Sequence, residues 1–223
     1  MLKTSLTALA FLGTMAICTT GSAAVTTFDD LTAFQGALPG GTTTVTETFD
    51  SAIANAAVLN FASGVISTAT PFSGFGHNVS SGVFNADIDF EDEFSRPTSI
   101  VWTFPTGFFA IGFDAFSVNA AANAGVNVTI IDDDGAETFL LHDVIGGTFV
   151  SDDGFAGFIS TGTISSIEFT GTAFPSGLDT FELDNATFVS QSAVVPLPAA
   201  LPLMGAALAG FGLLGWRKRR LTV

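Results

Sequence analysis

The chain contains, at residues 126–142, the stretch VNVTIIDDDGAETFLLH, which has the pattern of a β-hairpin. From Val126 to Ile130 apolar and polar side chains alternate, and a period of two residues is typical of a strand with one buried face. Residues 133–135, Asp-Asp-Gly, then predict a tight turn, after which residues 138–142 return as a second strand. The stretch therefore predicts antiparallel β-structure.

Short runs of the same kind recur on both sides of this hairpin, from Thr43 onward, separated by Gly, Asp, Asn and Pro. They include residues 100–104, 109–113, 166–170 and 180–188. Residues 29–34 have an acidic and an apolar side, which predicts one short helix. About seven to ten short strands without helical crossovers predict an all-β fold, an antiparallel β-sandwich, with the jelly-roll-like variant favoured.

Phenylalanine is the predominant aromatic residue of this chain, with 24 copies against two tryptophans and no tyrosine. Each ring buries about 150–200 Å² and needs no hydrogen bond. We therefore expect the phenylalanines to fill the space between the sheets. A sugar-stacking platform usually uses Trp or Tyr, and before the C-terminal tail only Trp102 is present.

The charge of the chain is strongly segregated. All 21 acidic residues lie between the two ends, where Arg96 is the one basic residue, so this part carries a net charge of −20. Such a domain repels nucleic acid and anionic lipid. The single cysteine, Cys18, lies in the N-terminal apolar run, so the domain has no disulfide and no thiolate site.

The N-terminus has the three parts of a secretory signal peptide. Lys3 precedes an apolar run over residues 6–17, and small side chains follow at Ser22 and Ala24. Signal peptidase accepts small residues at the first and third positions before the cut. We expect a signal peptide over residues 1–24, with cleavage after Ala24, and an acidic domain over residues 25–190.

The C-terminus has the composition of a membrane-spanning tail. After a linker over residues 191–196, Leu197 to Trp216 are 20 residues without a charge. At about 1.5 Å per residue this length crosses one bilayer core, although its prolines disfavour helix at the start. The basic residues 217–220 then predict a cytoplasmic end and an exported domain.

This tail, residues 195–220, resembles the VPLPA-CTERM variant of the PEP-CTERM sorting signals. The resemblance is carried by the motif Val195, Pro196, Leu197, Pro198 and Ala199 and by the stop-transfer cluster Arg217, Lys218, Arg219 and Arg220. It implies a Gram-negative bacterium with an exosortase, a membrane protease that cuts near the motif. The domain would pass through an inner-membrane intermediate to the cell surface or extracellular matrix, often alongside exopolysaccharide. An ordinary single-span anchor is the alternative.

The exported part carries a second resemblance. Residues 110–114, 154–160, 164–169 and 181–188 look similar to the lectin-like sandwich domain that is common on such sorted proteins. The similarity extends over about residues 98–189. It implies no general enzymatic activity.

Acidic residues supply the candidate ligands of the domain, and calcium is the cation that carboxylate oxygens favour. The turn at residues 132–134 can converge carboxylates, although turn formation and solubility are the favoured role of these acids. In calcium-bearing jelly-roll sugar-binding domains, an acid on the final strand often pairs with one from the first. The predicted calcium ligands are Glu47, Asp50, Asp132, Asp134, Asp184 and Asn185. Asp87, Asp89, Glu91 and Glu93 alternate with apolar residues, and a solvated face is favoured for them.

No catalytic motif is present. The two histidines, His77 and His142, lack metal-ligand spacing, and there is no Gly-x-Ser-x-Gly elbow. We expect a non-enzymatic surface or matrix protein that binds polysaccharide with Ca²⁺ support. Its expected partners are signal peptidase, the exosortase, the membrane and exopolysaccharide, without nucleic acid. A secreted hydrolase with a carboxylate pair and a purely structural matrix protein are the alternatives.

Overall fold

The computed structural model of the protein describes residues 24–89, 97–118, 125–148, 152–171 and 178–191. The predicted signal peptide before Ala24, the whole sorting tail, Glu91 and Glu93 lie outside these ranges. Within these ranges no helix has the length and apolar character needed to cross a membrane.

The described residues form eleven strands and two short helices. In chain order they are β1 Val25–Phe28, α1 Leu31–Ala37, β2 Thr42–Glu47, β3 Val58–Asn60, β4 Ile66–Thr70, β5 His77–Ser80, β6 Val83–Asp89, β7 Ser99–Val118, β8 Val126–Asp132, β9 Gly135–Leu140, α2 Leu141–Val144, β10 Asp152–Gly171 and β11 Leu178–Gln191. All of the strand pairs are antiparallel.

Two strands of 20 residues, β7 and β10, each contribute to two layers. Their paired halves at residues 99–103 and 166–170 belong to layer A, with strand order β3-β4-β7-β10-β8-β9. Their other halves belong to layer B, with order β5-β6-β11-β7-β10-β1. Strand β2 follows β6 along the same edge of β11 in layer B.

The two layers pack face to face. Trp102 and Phe113 lie on the same strand, β7, yet their ring centroids are only 6.3 Å apart. Along a straight strand, eleven residues would separate them by about 36 Å. The strand therefore folds back over the core, and the predicted all-β, antiparallel sandwich is confirmed. The jelly-roll-like variant stays a prediction.

The prediction of separate strands at residues 100–104 and 109–113 was wrong, because both belong to β7. The residues on either side of Gly162 likewise belong to one strand, β10. Pairing between the two strands shifts register between Ile159 and Ile164. A side chain at Gly107 would overlap that of Thr163, so glycine permits the close crossing of β7 and β10 at this bend.

The space between the layers is filled by phenylalanine, as predicted. Ten buried phenylalanines surround or extend from Trp102; they are Phe49, Phe61, Phe84, Phe104, Phe108, Phe113, Phe158, Phe169, Phe181 and Phe188. Neighbouring rings mostly meet edge to face or at a tilt, the arrangement favoured by the aromatic quadrupole. Among the described phenylalanines, Phe75 is the strongly exposed one.

The predicted helix is confirmed as α1, which begins and ends two to three residues later than expected. Asp30 caps it by accepting a hydrogen bond from the Ala33 amide at 2.8 Å. Its Phe34 is buried against the outer face of layer B. Helix α2 was not predicted; it begins at Leu141, where the returning strand was expected to continue to His142.

Candidate functional site

A cleft of about 600 Å³ lies where β7 and β10 bend from one layer into the other. One wall is the turn between β8 and β9, and the other includes the end of β11 and Pro39, which follows α1. Its lining residues are Pro39, Gly107, Phe108, Phe109, Asp133, Asp134, Ile159, Ser160, Thr161, Gly162, Thr163, Ser190 and Gln191.

The first wall is held rigidly by carboxylates. Asp132 Oδ1 accepts hydrogen bonds from the Asp134 and Gly135 amides, both at 3.0 Å, which closes the turn. Its Oδ2 accepts the Ser160 hydroxyl at 2.6 Å. Asp133 Oδ1 accepts the Thr163 amide at 2.7 Å. These bonds fasten the turn to the bend of β10, so two of the three turn carboxylates are committed to structure.

Asp134 differs from its two neighbours. Its side chain is exposed, and its carboxylate accepts no hydrogen bond from the residues that the structure describes. The same cleft presents the Ser190 and Gln191 side chains at the end of β11. Phe109 and Ile159, both half-buried, supply an apolar surface beside them. The cleft therefore combines a carboxylate, an amide, hydroxyls and an aromatic ring.

This combination selects among ligand classes. Carboxylate and amide oxygens accept hydrogen bonds from ligand hydroxyls, while an apolar ring covers the C–H face of a ligand. No basic side chain is among the described residues that line the cleft. An anionic ligand would therefore meet carboxylates without a compensating cation. A neutral polyhydroxylated ligand meets complementary groups.

The predicted calcium ligands fall in separate places. Asp132 and Asp134 belong to the turn at the cleft, but Asp132 already accepts three hydrogen bonds. Glu47 is buried and its Oε2 accepts the Ser63 amide at 2.9 Å. Asp50 accepts the Thr48 hydroxyl at 2.7 Å in the segment after β2.

Asp184 and Asn185 lie at a bulge of β11 in layer B, where Asn185 has a φ of 50°. Asp114 on β7 lies directly opposite Asp184. On the other edge of β11, Glu47 is the register partner of Ala186, next to Asn185, but its side chain is buried and accepts the Ser63 amide. The Asn185 Nδ2 group donates to Asp114 Oδ2 at 2.9 Å. In the described part of the chain, no three Asp, Glu, His or Cys residues are placed to hold one metal ion. Calcium binding stays a prediction.

His77 forms a Ser–His pair that is sealed from solvent. His77 Nδ1 is 2.6 Å from the Ala56 carbonyl oxygen, and because a carbonyl only accepts, Nδ1 carries the proton. Nε2 then accepts the Ser67 hydroxyl at 2.7 Å. Burial lowers the pKa of His77. Both side chains are completely buried, so no substrate reaches this pair.

Comparison with known proteins gives no family for the chain. No protein-family model matches it, and no curated protein matches it. Two solved structures of family 29 carbohydrate-binding modules, both mutants, overlap with it at 12% identity; they cover 74% and 79% of this chain and 97% and 99% of their own, with TM-scores of 0.37 and 0.29. A family 11 module from Clostridium thermocellum, in complex with a β-1,3-1,4-mixed-linked tetrasaccharide, overlaps at 12% identity over 76% of this chain and 89% of its own, with a TM-score of 0.21. TM-scores this low establish no relationship.

Sequence reasoning identified one wall of the cleft and missed the other. The acidic turn is local and readable, whereas Ser160, Thr161, Thr163, Ser190 and Gln191 reach it from two distant strands. The one local signal was the break of alternation at residues 161–163, Thr-Gly-Thr, in the middle of β10.

Proposed function

We propose that this protein is an exported, non-enzymatic surface protein that binds a neutral polysaccharide in the cleft at the strand bends. The observation that carries the proposal is the Asp134 carboxylate, which has no hydrogen-bond partner among the described residues and lies in a cleft with Gln191 and Phe109. A sugar hydroxyl can donate to this exposed carboxylate in place of solvent. A hydrogen bond to a charged acceptor is stronger than one between neutral groups.

A hydrolytic function is less well supported by the same cleft. Glycosidases place two carboxyl groups on either side of the scissile bond, about 5–9.5 Å apart. Here the two acids among the described lining residues, Asp133 and Asp134, follow each other in one turn. Asp133 is already engaged by the Thr163 amide. Binding without bond cleavage is therefore the function we propose.

The experiment is a titration of the purified protein with neutral and uronic-acid-containing polysaccharides, followed by calorimetry. We expect binding of a neutral glycan and about tenfold weaker binding by Asp134→Asn, which corresponds to 1.4 kcal/mol. Asp143→Asn is the matched control, because Asp143 is exposed and lies in α2, beyond the far end of β9. Absence of binding to every neutral glycan, or equal losses in both variants, would overturn the proposal. Release of reducing ends would instead establish the hydrolase.

The route to the surface is the second part of this proposal. Its support is the order signal peptide, domain, VPLPA motif, apolar span and basic cluster. Ala24 and Gln191, the first and last described residues, both lie at the cleft: Ala24 donates to the Thr161 hydroxyl at 3.1 Å, and Gln191 lines the wall. The predicted linker, which starts at Gln191, therefore begins beside the proposed binding site.

Deletion of residues 195–199 in a host with an exosortase tests the sorting step. We expect the intact chain to give a shortened product at the surface or in the medium, detected by mass spectrometry. The deletion variant should remain in the inner membrane at full tail length. Identical products from both chains would show that the tail acts as an ordinary anchor.

A structural matrix protein is the second candidate, and the outer face of layer A favours it. One row of this face crosses all six strands through Val58, Thr68, Val101, Glu168, Thr129 and Thr138. Glu168 is the one charged side chain in the row, and it accepts the Ser99 hydroxyl at 2.6 Å. In a domain of charge −20, this neutral face is where two copies meet with least repulsion.

The dimensions of the face suit a second copy of the chain. Six strands about 4.8 Å apart, with outward residues about 6.6 Å apart, two on β3 and three on each of the others, give a face of about 550 Å². Two such faces bury about 1,100 Å², close to the lower limit of specific interfaces.

Sedimentation velocity at low and high NaCl tests self-association. We expect a dimer that strengthens with salt, because salt screens the repulsion between acidic domains. Val101→Glu should abolish it, whereas Val45→Glu, at an exposed valine of β2 in layer B, should not. A monomer at every salt concentration would reject this candidate.

A further inference from the structure

The first strand of the domain contacts a carboxylate through its first residue. The Val25 backbone nitrogen donates to Glu137 Oε1 at 3.1 Å, in a half-buried position. Strand β1 pairs with β10 at one edge of layer B, and β9, which carries Glu137, pairs with β8 at one edge of layer A. This hydrogen bond therefore joins an edge strand of layer B to an edge strand of layer A.

The predicted signal peptidase cut falls at this nitrogen. Cleavage after Ala24 converts the Val25 amide into a primary α-amine, whose ordinary pKa is about 7.7–8.0. At neutral pH the group is then an ammonium, with a proton still available to Glu137. We infer that removal of the signal peptide turns a neutral hydrogen bond into an ammonium–carboxylate ion pair that locks β1 onto β9. The inference rests on the proposed export and does not depend on the cleft's ligand.

The charges around this contact favour the ammonium. No Lys or Arg is among the described residues, so Glu137 has no competing cation there. Asp132 bonds the Ser160 hydroxyl, and Ser160 is the register partner of Val25. Asp29 and Asp30 follow β1 at its other end. These groups are all carboxylates, and nearby negative charge stabilises the protonated amine.

The site of the cut decides whether the pair forms. A cut one residue earlier would leave Ala24 as the terminus, and the Ala24 nitrogen donates to the Thr161 hydroxyl at 3.1 Å. The Val25 nitrogen would then remain a neutral amide. Only the mature terminus at Val25 places the new charge against Glu137, so processing adds a positive charge to a contact that the unprocessed chain already makes.

The test uses the full chain, exported and processed in a bacterial host, with its N-terminus determined by mass spectrometry. After removal of Lys3 the chain has one lysine, Lys218. Reductive methylation with ¹³C-formaldehyde, which preserves the charge, therefore labels the α-amine and at most one other amine. An NMR pH titration then reads the α-amine pKa directly.

We expect an α-amine pKa above the ordinary range in the wild type and a return to that range in Glu137→Gln. Glu168→Gln, a half-buried acid bonded to Ser99 in layer A, is the matched control and should leave the pKa raised. If Glu137→Gln does not fold, N-terminal acetylation of the wild type removes the same charge and should lower Tm.

An ordinary α-amine pKa in the folded wild type, or a mature terminus other than Val25, would overturn the inference. Either result leaves glycan binding in the cleft unaffected, because that is measured separately with Asp134→Asn. A raised α-amine pKa in a protein that binds no glycan would support the ion pair and reject the proposed ligand.

Discussion

The pair formed by His77 and Ser67 puts hydrogen-bonding groups inside a core made largely of phenylalanine. The pair satisfies its own donors and acceptors together with the Ala56 carbonyl, so burial leaves no polar atom of the imidazole without a partner. The rings of Phe84 and Phe72 lie 5.6 Å and 6.4 Å from the imidazole. An added proton on Nε2 would face the Ser67 hydroxyl in this apolar surrounding, which is why burial lowers the pKa of His77.

The pKa of His77 predicts that acid destabilises the fold. In the unfolded chain the pKa is the ordinary value of about 6.5, so the unfolded state binds the proton first. The contribution of neutral His77 is therefore fully present above about pH 6.5 and decreases as the pH falls below it, by at most about 1.4 kcal/mol per pH unit. Urea unfolding between pH 7.5 and 5 measures this, and His77→Gln should flatten the dependence. Equal slopes in both proteins would contradict the assignment.

At the scale of an element, helix α1 is held on layer B by a pair of glycines. Gly112 on β7 and Gly157 on β10 are register partners. A Cβ at Gly157 would lie 2.7 Å from the Phe34 ring and 2.9 Å from Phe155. Because glycine has no side chain, the surface of layer B is flat at these two positions. The rings of Phe34 and Phe155 pack there with a centroid distance of 5.5 Å.

Gly157→Ala should therefore destabilise the protein by about 1–3 kcal/mol, because the added methyl group forces the rings apart. Gly36→Ala is the matched control. It lies in α1, where a Cβ meets nothing within 4 Å, and alanine should stabilise the helix by about 0.5–1 kcal/mol. Thermal unfolding of the two variants should give Tm changes of opposite sign. A neutral Gly157→Ala would show that α1 is not docked as described.

At the scale of the whole molecule, the phenylalanine core stabilises the fold, whereas the net charge of −20 between the two ends destabilises it. Repulsion among exposed carboxylates lowers the free energy of unfolding, and the turn at Asp132–Asp134 and the pair of Asp114 and Asp184 concentrate it locally. Salt screens this repulsion over about 10 Å at 0.1 M. Stability should therefore rise with ionic strength in NaCl.

A comparison of two salts at the same ionic strength distinguishes calcium binding from this screening. We predict a higher Tm in CaCl₂ than in NaCl of equal ionic strength, by several degrees, if folded-state binding reaches a hundredfold excess over Kd. Chelator should reverse it. Asp134→Asn and Asp184→Asn, compared singly, then identify which acidic group binds the ion. Identical melts in both salts would reject a calcium site and leave screening alone.

The sequence by itself determined the features that depend on neighbours along the chain. Alternation from Val126 to Ile130 determined a strand, residues 133–135 determined a turn, and the acidic and apolar sides of residues 29–34 determined a short helix but not its bounds. The absence of tyrosine and abundance of phenylalanine determined a core whose aromatic rings, Trp102 apart, carry no hydrogen-bonding group. Export, sorting and calcium binding stay predictions from the same sequence.

Only the tertiary structure decided where β7 and β10 bend and what meets there. Period-two alternation shows that one face of a strand is buried, but it does not show which layer the strand joins. That choice depends on pairing with β4 in one layer and β11 in the other, between residues far apart in the chain. Bending at Gly107 and Gly162 brings Asp134, Phe109 and Gln191 to one cleft, and no local pattern records their meeting.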